Sequence, residues 1–386
     1  MMQDLASRAL WRAHRHILSR PPSSTAQHRG PVLVAGLFGS ASGIGASARL
    51  CAAGFEAAGW TIGRVNLSAL FGQQDFDSPV PSTARGQDAR TLIVHLNAPE
   101  FPRACFALQN WRGSGRRVIG YWAWELPDAP ASWQDAARYL TEIWVPSEFT
   151  AAAISKLTGK PVRVVPHFIH PPPAPDLETP VPPFEGFTVI TFADGKSSFE
   201  RKNVAGALRA FRQARFAGPA RLLLKTRGLT DRPAFAAEVR EAIAADPRIE
   251  LLDANLPAGA SRRLIQSADA LLSLHRSEGF GLTMAEAMML GKPVIATGWS
   301  GNMEFMDEAS ALPVAYTLVP AEDRFGVFGG YAHSRWAEPD IADAARKLEL
   351  LEADPALRHT IGAAGHARVA AFTSGAQYVN ALNAGA

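Results

Sequence analysis

The sequence predicts an α/β protein built from two doubly wound parallel sheets. Short apolar segments typical of strands alternate with helical segments, and this alternation restarts after a proline-rich stretch. A chain of 386 residues is long enough for two domains, each with its own core. Apolar residues make up 47% and charged residues 19%, as in soluble globular proteins, and no apolar run approaches the roughly 20 residues of a membrane-spanning helix.

The first alternation defines a domain at residues 31–169. Its predicted strands are PVLVAGLFG, TIGRVNL, TLIVHLN, RRVIGYWAW, TEIWVPS and VRVVPHF. Ligands on such sheets bind beyond the carboxyl ends of the strands, which predicts His95, Trp124 and Glu125 at the ligand-binding edge. Aromatic rings beside a carboxylate commonly hold a sugar, so these residues are candidates for binding an acceptor. The alternative is that the tryptophans fill the core.

The segment at 170–186, HPPPAPDLETPVPPFEG, reads as a semi-rigid linker because it is proline-rich and has no periodicity. A second domain then follows at 187–370. Its strands are predicted in FTVITFAD, ARLLLKTRG, RIELLDAN, ADALLSLHR and PVIATGW. Residues 371–386 form a tail that we expect to return to the first domain.

The N-terminal extension, residues 1–30, contains a candidate amphipathic helix at 5–20. Residues 1–168 carry 17 Lys and Arg against 11 Asp and Glu, a net +6, whereas residues 169–386 carry 22 against 25, a net −3. A basic helix with an apolar face fits peripheral binding to an anionic inner membrane. The alternative is a frayed or packed N-terminal helix. Two cysteines and no secretory signal fit the cytoplasm.

The most informative stretch is HRSEGFGLTMAEAMMLGKPVIATGW, which predicts a strand, a glycine loop, a helix and a strand. Thr283 is the predicted cap of the helix and Gly291 its end. A glycine-flanked turn before a helix brings backbone N–H groups close to a phosphate. Glu278 and Glu286 flank this turn, and a carboxylate accepts two hydrogen bonds from vicinal hydroxyls. A phosphate cradle between two carboxylates indicates a nucleotide-sugar site.

Cationic residues are predicted at the same sheet edge. Lys196, Arg201 and Lys202 follow the first strand of the second domain, and Lys225 and Arg227 end the next. Converging cations stabilise a departing diphosphate without a metal, although a solvated surface role is preferred for Arg227. Asn255 and Leu256, which follow the third strand, are candidates for reading a nucleobase. No spacing of His, Cys or carboxylates indicates a metal site.

Two rival motifs are weaker. The turn Gly39-x-x-x-Gly43-Ile44-Gly45 resembles a dehydrogenase cofactor loop, but the second strand has no carboxylate nearby and no tyrosine has a lysine four residues on. Asp75-Phe76-Asp77 resembles a metal-binding Asp-x-Asp, but it lies in a polar stretch that reads as a solvated loop.

With these residues in hand, the sequence resembles the retaining glycosyltransferases of family 4, which have the two-domain GT-B fold. The most specific element is Glu-x7-Glu, present as Glu278 and Glu286. The resemblance implies that Glu286 holds the ribose, Glu278 contacts the transferred sugar, and Arg201 and Lys202 bind the diphosphate. It implies donor contacts at Gly45 and along the loop Gly279, Phe280, Gly281, Leu282 and Thr283. Glu125 stands where many relatives have a His-Asp pair.

We therefore expect a retaining, metal-independent and cofactor-free transferase that moves a hexose, of mannose or glucose type, from a UDP- or GDP-sugar. YWAWELP and WVPSEFTA resemble bacterial enzymes of polysaccharide biosynthesis, which implies a glycan or lipid-linked oligosaccharide acceptor. The alternatives are a sugar-nucleotide epimerase and a non-catalytic sugar-nucleotide binding module. A nucleic-acid partner is disfavoured because the basic residues form no stripe with interleaved aromatics.

Overall fold

A computed structural model describes residues 31–82, 89–108, 117–171, 184–195, 197–229, 232–256, 258–324 and 328–384, apart from the side chains of residues 105, 106 and 258. The predicted helix at 5–20, most of the predicted linker and Lys196 lie outside these residues. The chain divides into two compact units, Met1–Ile169 with Thr373–Ala386, and His170–Phe372. In the described part, no helix has both the length and the apolar character needed to cross a membrane.

The first unit is built on a parallel sheet. The described strands are β1 (Val32–Gly36), β2 (Gly63–Asn66), β3 (Thr91–His95), β4 (Arg117–Tyr121), β5 (Glu142–Val145) and β6 (Val162–Val164), in the order β2-β1-β3-β4-β5-β6. Its helices along this part of the chain are α1 (Gly43–Ala57), α2 (Phe101–Ala107), α3 (Trp133–Ala137) and α4 (Glu148–Ser155). The central strands β3 and β4 are buried throughout, as parallel strands covered on both faces require.

The second unit repeats this architecture. Its parallel strands are β7 (Phe187–Phe192), β8 (Ala220–Thr226), β9 (Ile249–Asp253), β10 (Ala270–Ser273), β11 (Val294–Thr297) and β12 (Leu312–Val314). They lie in the order β9-β8-β7-β10-β11-β12. The helices are α5 (Phe199–Lys202), α6 (Val204–Gln213), α7 (Pro233–Ala244), α8 (Ala258–Ser267), α9 (Leu282–Met289), α10 (Ile341–Ala353) and α11 (Pro355–Phe372).

A two-stranded antiparallel ribbon of β13 (Tyr316–Pro320) and β14 (Arg335–Pro339) lies between β12 and α10 in the chain. None of the sequence patterns described above predicts this ribbon. Strand β14 contacts the chain just beyond the carboxyl end of β10, since the Ala337 N–H donates to the Arg276 carbonyl over 2.8 Å. Tyr316 and Leu318 on the outer strand are each 41% exposed.

The last helix, α12 (Ala376–Ala384), packs in the first unit. Tyr378 is fully buried against α1, where a Cβ atom on Gly54 would lie 2.6 Å from the tyrosine ring. The Arg117 guanidinium donates to the Leu382 carbonyl over 2.6 Å, so a cation meets the negative end of the helix. Arg117 is itself held by Glu142 at 2.5 Å.

Two local predictions are wrong. The helix after Glu278 begins at Leu282, with Gly281 as its N-cap at φ 99°, and Thr283 therefore lies inside the helix instead of capping it. A left-handed glycine turns the chain sharply enough to start the helix earlier than a threonine cap would. The strand predicted in RRVIGYWAW ends at Tyr121, so Trp122 and Trp124 lie beyond it.

Candidate active site

The candidate active site lies where the strand order of the second sheet reverses. β7 pairs with β8 on one side and with β10 on the other, although β8 follows it in the chain and β10 comes three strands later. In doubly wound sheets, the connections leave such a point on opposite faces and open a crevice at the carboxyl ends of the strands. The chain that leaves β7 carries Arg201 and Lys202, and the chain that leaves β10 carries Glu278.

The two cations are positioned by a tight double turn. Ser198 caps α5 by accepting the Arg201 N–H over 3.1 Å. Asn203 ends α5 in the left-handed region, at φ 49°, and its side chain caps α6 by accepting the Gly206 N–H over 3.2 Å. Asparagine tolerates this backbone better than most residues. Arg201 and Lys202 therefore stand on one short, doubly capped turn.

Arg201, Lys202 and Glu278 form a three-membered ion cluster. Glu278 Oε1 lies 3.0 Å from an Arg201 guanidinium nitrogen and 2.5 Å from Lys202 Nζ. The Arg201 guanidinium also donates to the Ser277 carbonyl over 2.8 Å and to Ser197 Oγ over 3.1 Å. The side chains of Arg201 and Glu278 are 5% and 10% exposed, whereas that of Lys202 is 24% exposed. Lys202 is therefore the member most open to a ligand.

The electrostatics of the cluster keep Glu278 ionised. Burial raises the pKa of its carboxyl, but the positive charges of Arg201 and Lys202 outweigh burial and lower the pKa to about 2. At neutral pH the carboxylate can accept hydrogen bonds from hydroxyl groups and has no proton to donate.

The segment after β11 holds the main chain of Glu278. Ser300 Oγ accepts the Glu278 N–H over 2.8 Å, and the Gly301 N–H donates to the Glu278 carbonyl over 2.9 Å. Residue 301 must be glycine in this packing, because a Cβ atom there would lie 2.3 Å from the Gly279 carbonyl oxygen. Both backbone polar groups of Glu278 are thus fixed.

The predicted phosphate loop runs from Gly279 to Thr283. Gly279, Phe280 and Gly281 are buried, and the Phe280 ring packs 5.0 Å from that of Phe305. Leu282, Thr283 and Glu286 are partly exposed on the first two turns of α9. The loop therefore leads directly from Glu278 into the N-terminus of a helix, where the dipole favours an anion.

Lys225 lies at the end of β8 and is not drawn into the ion cluster. Its ammonium donates to the carbonyls of Thr226 and Ala254, over 2.8 and 2.5 Å. Burial lowers the pKa of Lys225 to about 8, helped by Arg227 and opposed by Asp253 and Asp194. Arg227 pairs with Asp194 at 2.6 Å.

The loop beyond β9 carries the residues predicted to read a base. Asn255 is exposed and Leu256 is half-buried. Ala254 in the same loop accepts from Lys225. Lys225 therefore braces this loop.

His275 is a member of the site that the sequence analysis missed. It is fully buried just beyond β10, and neither ring nitrogen has a hydrogen-bond partner among the described residues. Burial lowers its pKa to about 3; Glu278 raises the pKa, and Lys202 and Arg201 lower it further. The histidine is therefore neutral beside the ion cluster. Its place in an apolar strand-like run, ADALLSLHR, hid it from sequence reasoning.

In the first unit, the three acceptor candidates differ in how deeply they are buried. His95 is fully buried at the end of β3, where its Nδ1 lies 2.8 Å from Ser47 Oγ and its ring stacks on Tyr121 at 4.5 Å. Trp124 is 8% exposed and donates to the Asp128 carbonyl. Glu125 is half-buried. Of the three, Glu125 is the most accessible within its unit.

Gly45 lies in the first turn of α1, and its N–H donates to Ser42 Oγ over 3.2 Å. A Cβ atom there would lie 2.5 Å from the Ser40 carbonyl, so the packing requires glycine. The neighbouring Ala41 N–H donates to Asp75 Oδ2 over 2.8 Å. Asp75 is thus bound to the glycine-rich turn, which corrects its interpretation as part of a solvated loop.

Part of the chain matches a family of known proteins. Residues 188–326 match the family model described as glycosyl transferases group 1. The match identifies a group 1 glycosyltransferase domain. It lies wholly in the second unit and includes the ion cluster and Glu286. No curated protein matches the chain.

Solved structures share the fold over almost the whole chain. HepE of Anabaena, in complex with UDP-glucose, is 15% identical at a TM-score of 0.64, covering 92% of this chain and 100% of its own. A glycosyltransferase of Rickettsia africae is 12% identical at a TM-score of 0.62, covering 93% of this chain and 99% of its own. Sucrose-phosphate synthase of Thermosynechococcus elongatus is 16% identical at a TM-score of 0.61, covering 92% of this chain and 98% of its own. The GT-B fold predicted from the sequence is confirmed.

Proposed function

We propose that the protein is a retaining glycosyltransferase that moves a hexose, of glucose or mannose type, from a nucleoside diphosphate sugar to a glycan or lipid-linked glycan in bacterial polysaccharide biosynthesis. The observation that carries this proposal is the Arg201–Lys202–Glu278 cluster at the strand-order reversal, next to a glycine loop and a helix N-terminus. We favour UDP over GDP as the nucleotide because HepE, a structural neighbour, has been solved with UDP-glucose.

The cluster is suited to exchange partners when a donor binds. A diphosphate carries more negative charge than one carboxylate, and Lys202 is the more exposed of the two cations. In the proposed complex, Lys202 and Arg201 turn toward the diphosphate, while the loop N–H groups at 280–283 bind the same group. Glu278 is released to accept hydrogen bonds from the hexose, and Glu286 accepts from the ribose hydroxyls.

The proposed reaction is a front-face displacement. The bond between the anomeric carbon and the diphosphate oxygen breaks, and the acceptor hydroxyl oxygen forms a new bond on the same face. The acceptor proton passes to the departing diphosphate oxygen. Arg201 and Lys202 stabilise the charge that develops on this leaving group, so the proposal requires neither a metal nor a separate general base.

The acceptor half of the proposal concerns the first unit. Glu125, a half-buried residue, is the proposed contact to acceptor hydroxyls, and Trp124 is its proposed apolar neighbour. His95 would position Tyr121 and Ser47 from within the core.

Peripheral binding to an anionic membrane through residues 5–20 is tested by sedimentation with anionic and with neutral vesicles.

A donor panel tests the function. The thermal stability of the protein is measured with UDP, GDP and their hexose derivatives, because a ligand that binds the folded state raises the melting temperature. Donors that bind are then incubated with lipid-linked glycan extracts, with and without EDTA. Transfer with retained anomeric configuration, read by NMR coupling constants, supports the proposal. An isomerised sugar formed in the absence of acceptor indicates an epimerase. Donor binding without any turnover indicates a binding module.

A further inference from the structure

Ser300 has a backbone conformation that serine rarely adopts. Its φ is 79° and its ψ is −154°, a region occupied almost only by glycine. The other non-glycine residue with positive φ among those described, Asn203, lies in the left-handed region, which asparagine tolerates. The strain at Ser300 is therefore of a different kind, and the surrounding structure must maintain it.

Glycine would fit residue 300 without strain, and the neighbouring segment already uses glycine at 298 and 301. What serine adds is a hydroxyl group. Ser300 Oγ accepts the Glu278 N–H over 2.8 Å and lies 3.4 Å from Asn302 Oδ1, to which it donates. Without the hydroxyl, the N–H of a buried residue would lose its acceptor.

The contact with Ser300 also affects where the Glu278 carboxylate lies. The Gly301 N–H holds the Glu278 carbonyl, and Ser300 holds the Glu278 N–H. These two bonds fix the peptide groups on both sides of the Glu278 Cα atom, and so the direction in which its side chain leaves the main chain. That side chain reaches Lys202 at 2.5 Å and Arg201 at 3.0 Å.

We propose that Ser300 is a positioning residue for the reaction: its strained backbone is retained because its hydroxyl holds Glu278 in place for the transferred sugar. The proposal rests on the function proposed above, since it gives Glu278 its role toward the sugar. A displacement of about 1 Å at a reacting centre can lower turnover by about 100-fold. Loss of the hydroxyl is therefore expected to lower kcat by about 10- to 100-fold and to change KM for the donor by less than about threefold.

Three substitutions separate the strain from the hydroxyl. Ser300→Gly removes both, Ser300→Ala keeps the strain and removes the hydroxyl, and Ser300→Thr keeps both and adds a β-branched methyl group. Melting temperature should follow the strain, with Ser300→Gly about 3–8 °C above Ser300→Ala. Turnover of the best donor should follow the hydroxyl instead: Ser300→Thr within about threefold of wild type, and both other variants at least tenfold lower.

Amide hydrogen exchange at Glu278 gives a readout that needs no substrate. The Gly and Ala variants should exchange this amide at least tenfold faster than wild type, while amides of β8 remain protected. If wild-type protein turns over no donor, the proposed function fails, and the exchange result still decides whether Ser300 holds Glu278. Wild-type turnover together with unchanged Glu278 exchange in Ser300→Gly overturns the positioning role. If Ser300→Thr does not fold, the Gly and Ala pair decides.

Discussion

Substituting Glu278 by glutamine tests the ion cluster most directly, because it removes the charge and keeps the shape. Burial of the carboxyl raises its pKa, yet Arg201 and Lys202 bring it from 4.5 down to about 2. Each pKa unit corresponds to about 1.36 kcal/mol, so the ionised cluster contributes about 3 kcal/mol to stability at neutral pH. Glu278 has a side chain only 10% exposed, so solvent screens this interaction little.

The sign of the pH dependence follows from the lowered pKa. The unfolded chain binds the proton near pH 4.5 and the folded protein near pH 2, so the contribution is complete above pH 4.5 and lost as the pH falls toward 2. At pH 7, Glu278→Gln should lower the unfolding free energy by about 3 kcal/mol, or the melting temperature by about 6–12 °C. Its stability should also fall by about 3 kcal/mol less than that of the wild type between pH 4.5 and 2, because the part of the decline due to Glu278 is missing.

Thermal unfolding of both proteins across pH 2–8 provides the measurement. Glu308→Gln is the matched control, since the same chemical change is made at an exposed carboxylate of the same unit. If Glu278→Gln were as stable as the control at pH 7 and lost as much stability as the wild type between pH 4.5 and 2, the cluster would not have the electrostatic strength that its geometry indicates.

Three further predictions concern the same unit. Lys202→Ala should weaken UDP binding at least tenfold in calorimetry; unchanged affinity would remove it from the proposed diphosphate site. Gly281→Ala should lower the unfolding free energy by about 1–3 kcal/mol, because φ is 99° and the new Cβ would lie 2.5 Å from the Met284 methyl group. Gly259→Ala is the control for calorimetric unfolding, since a Cβ atom there meets open space and should be tolerated. Burial lowers the pKa of Lys225 to about 8, so this residue should contribute a rise in wild-type stability from pH 8 to 10.5, where the unfolded chain still holds the proton. Lys225→Met should lose that rise in denaturant titrations, and an unaltered pH profile would contradict it.

Most of the architecture could be predicted from the sequence because its signals are local. Apolar runs and glycine turns mark the strands and their carboxyl ends, and the alternation marks two sheets. The Glu278–Gly281 stretch and the adjacent pair Arg201 and Lys202 could therefore be assigned to one sheet edge. Their direct contact could not be predicted, because Lys202 and Glu278 are 76 positions apart in the chain and meet only through the strand order.

Other features depended on tertiary packing. Ser300 carries no sequence signal, because its strained φ and its bond to Glu278 exist only in the folded unit. His275 looked like the end of an apolar strand, and His95 looked like a cleft residue although it is fully buried. A one-dimensional pattern places a residue at the end of a strand but does not show whether later elements cover it.

The position of α12 has a consequence for biosynthesis. The second unit is continuous from His170 to Phe372, whereas the first unit is completed by Thr373–Ala386. During translation, the N-terminal sheet emerges first, but the face of α1 around Gly54 lacks Tyr378 until the second unit has been synthesised. The first unit can therefore finish folding only after the second has been synthesised, and removing residues 373–386 should destabilise the first unit while leaving the second unit intact.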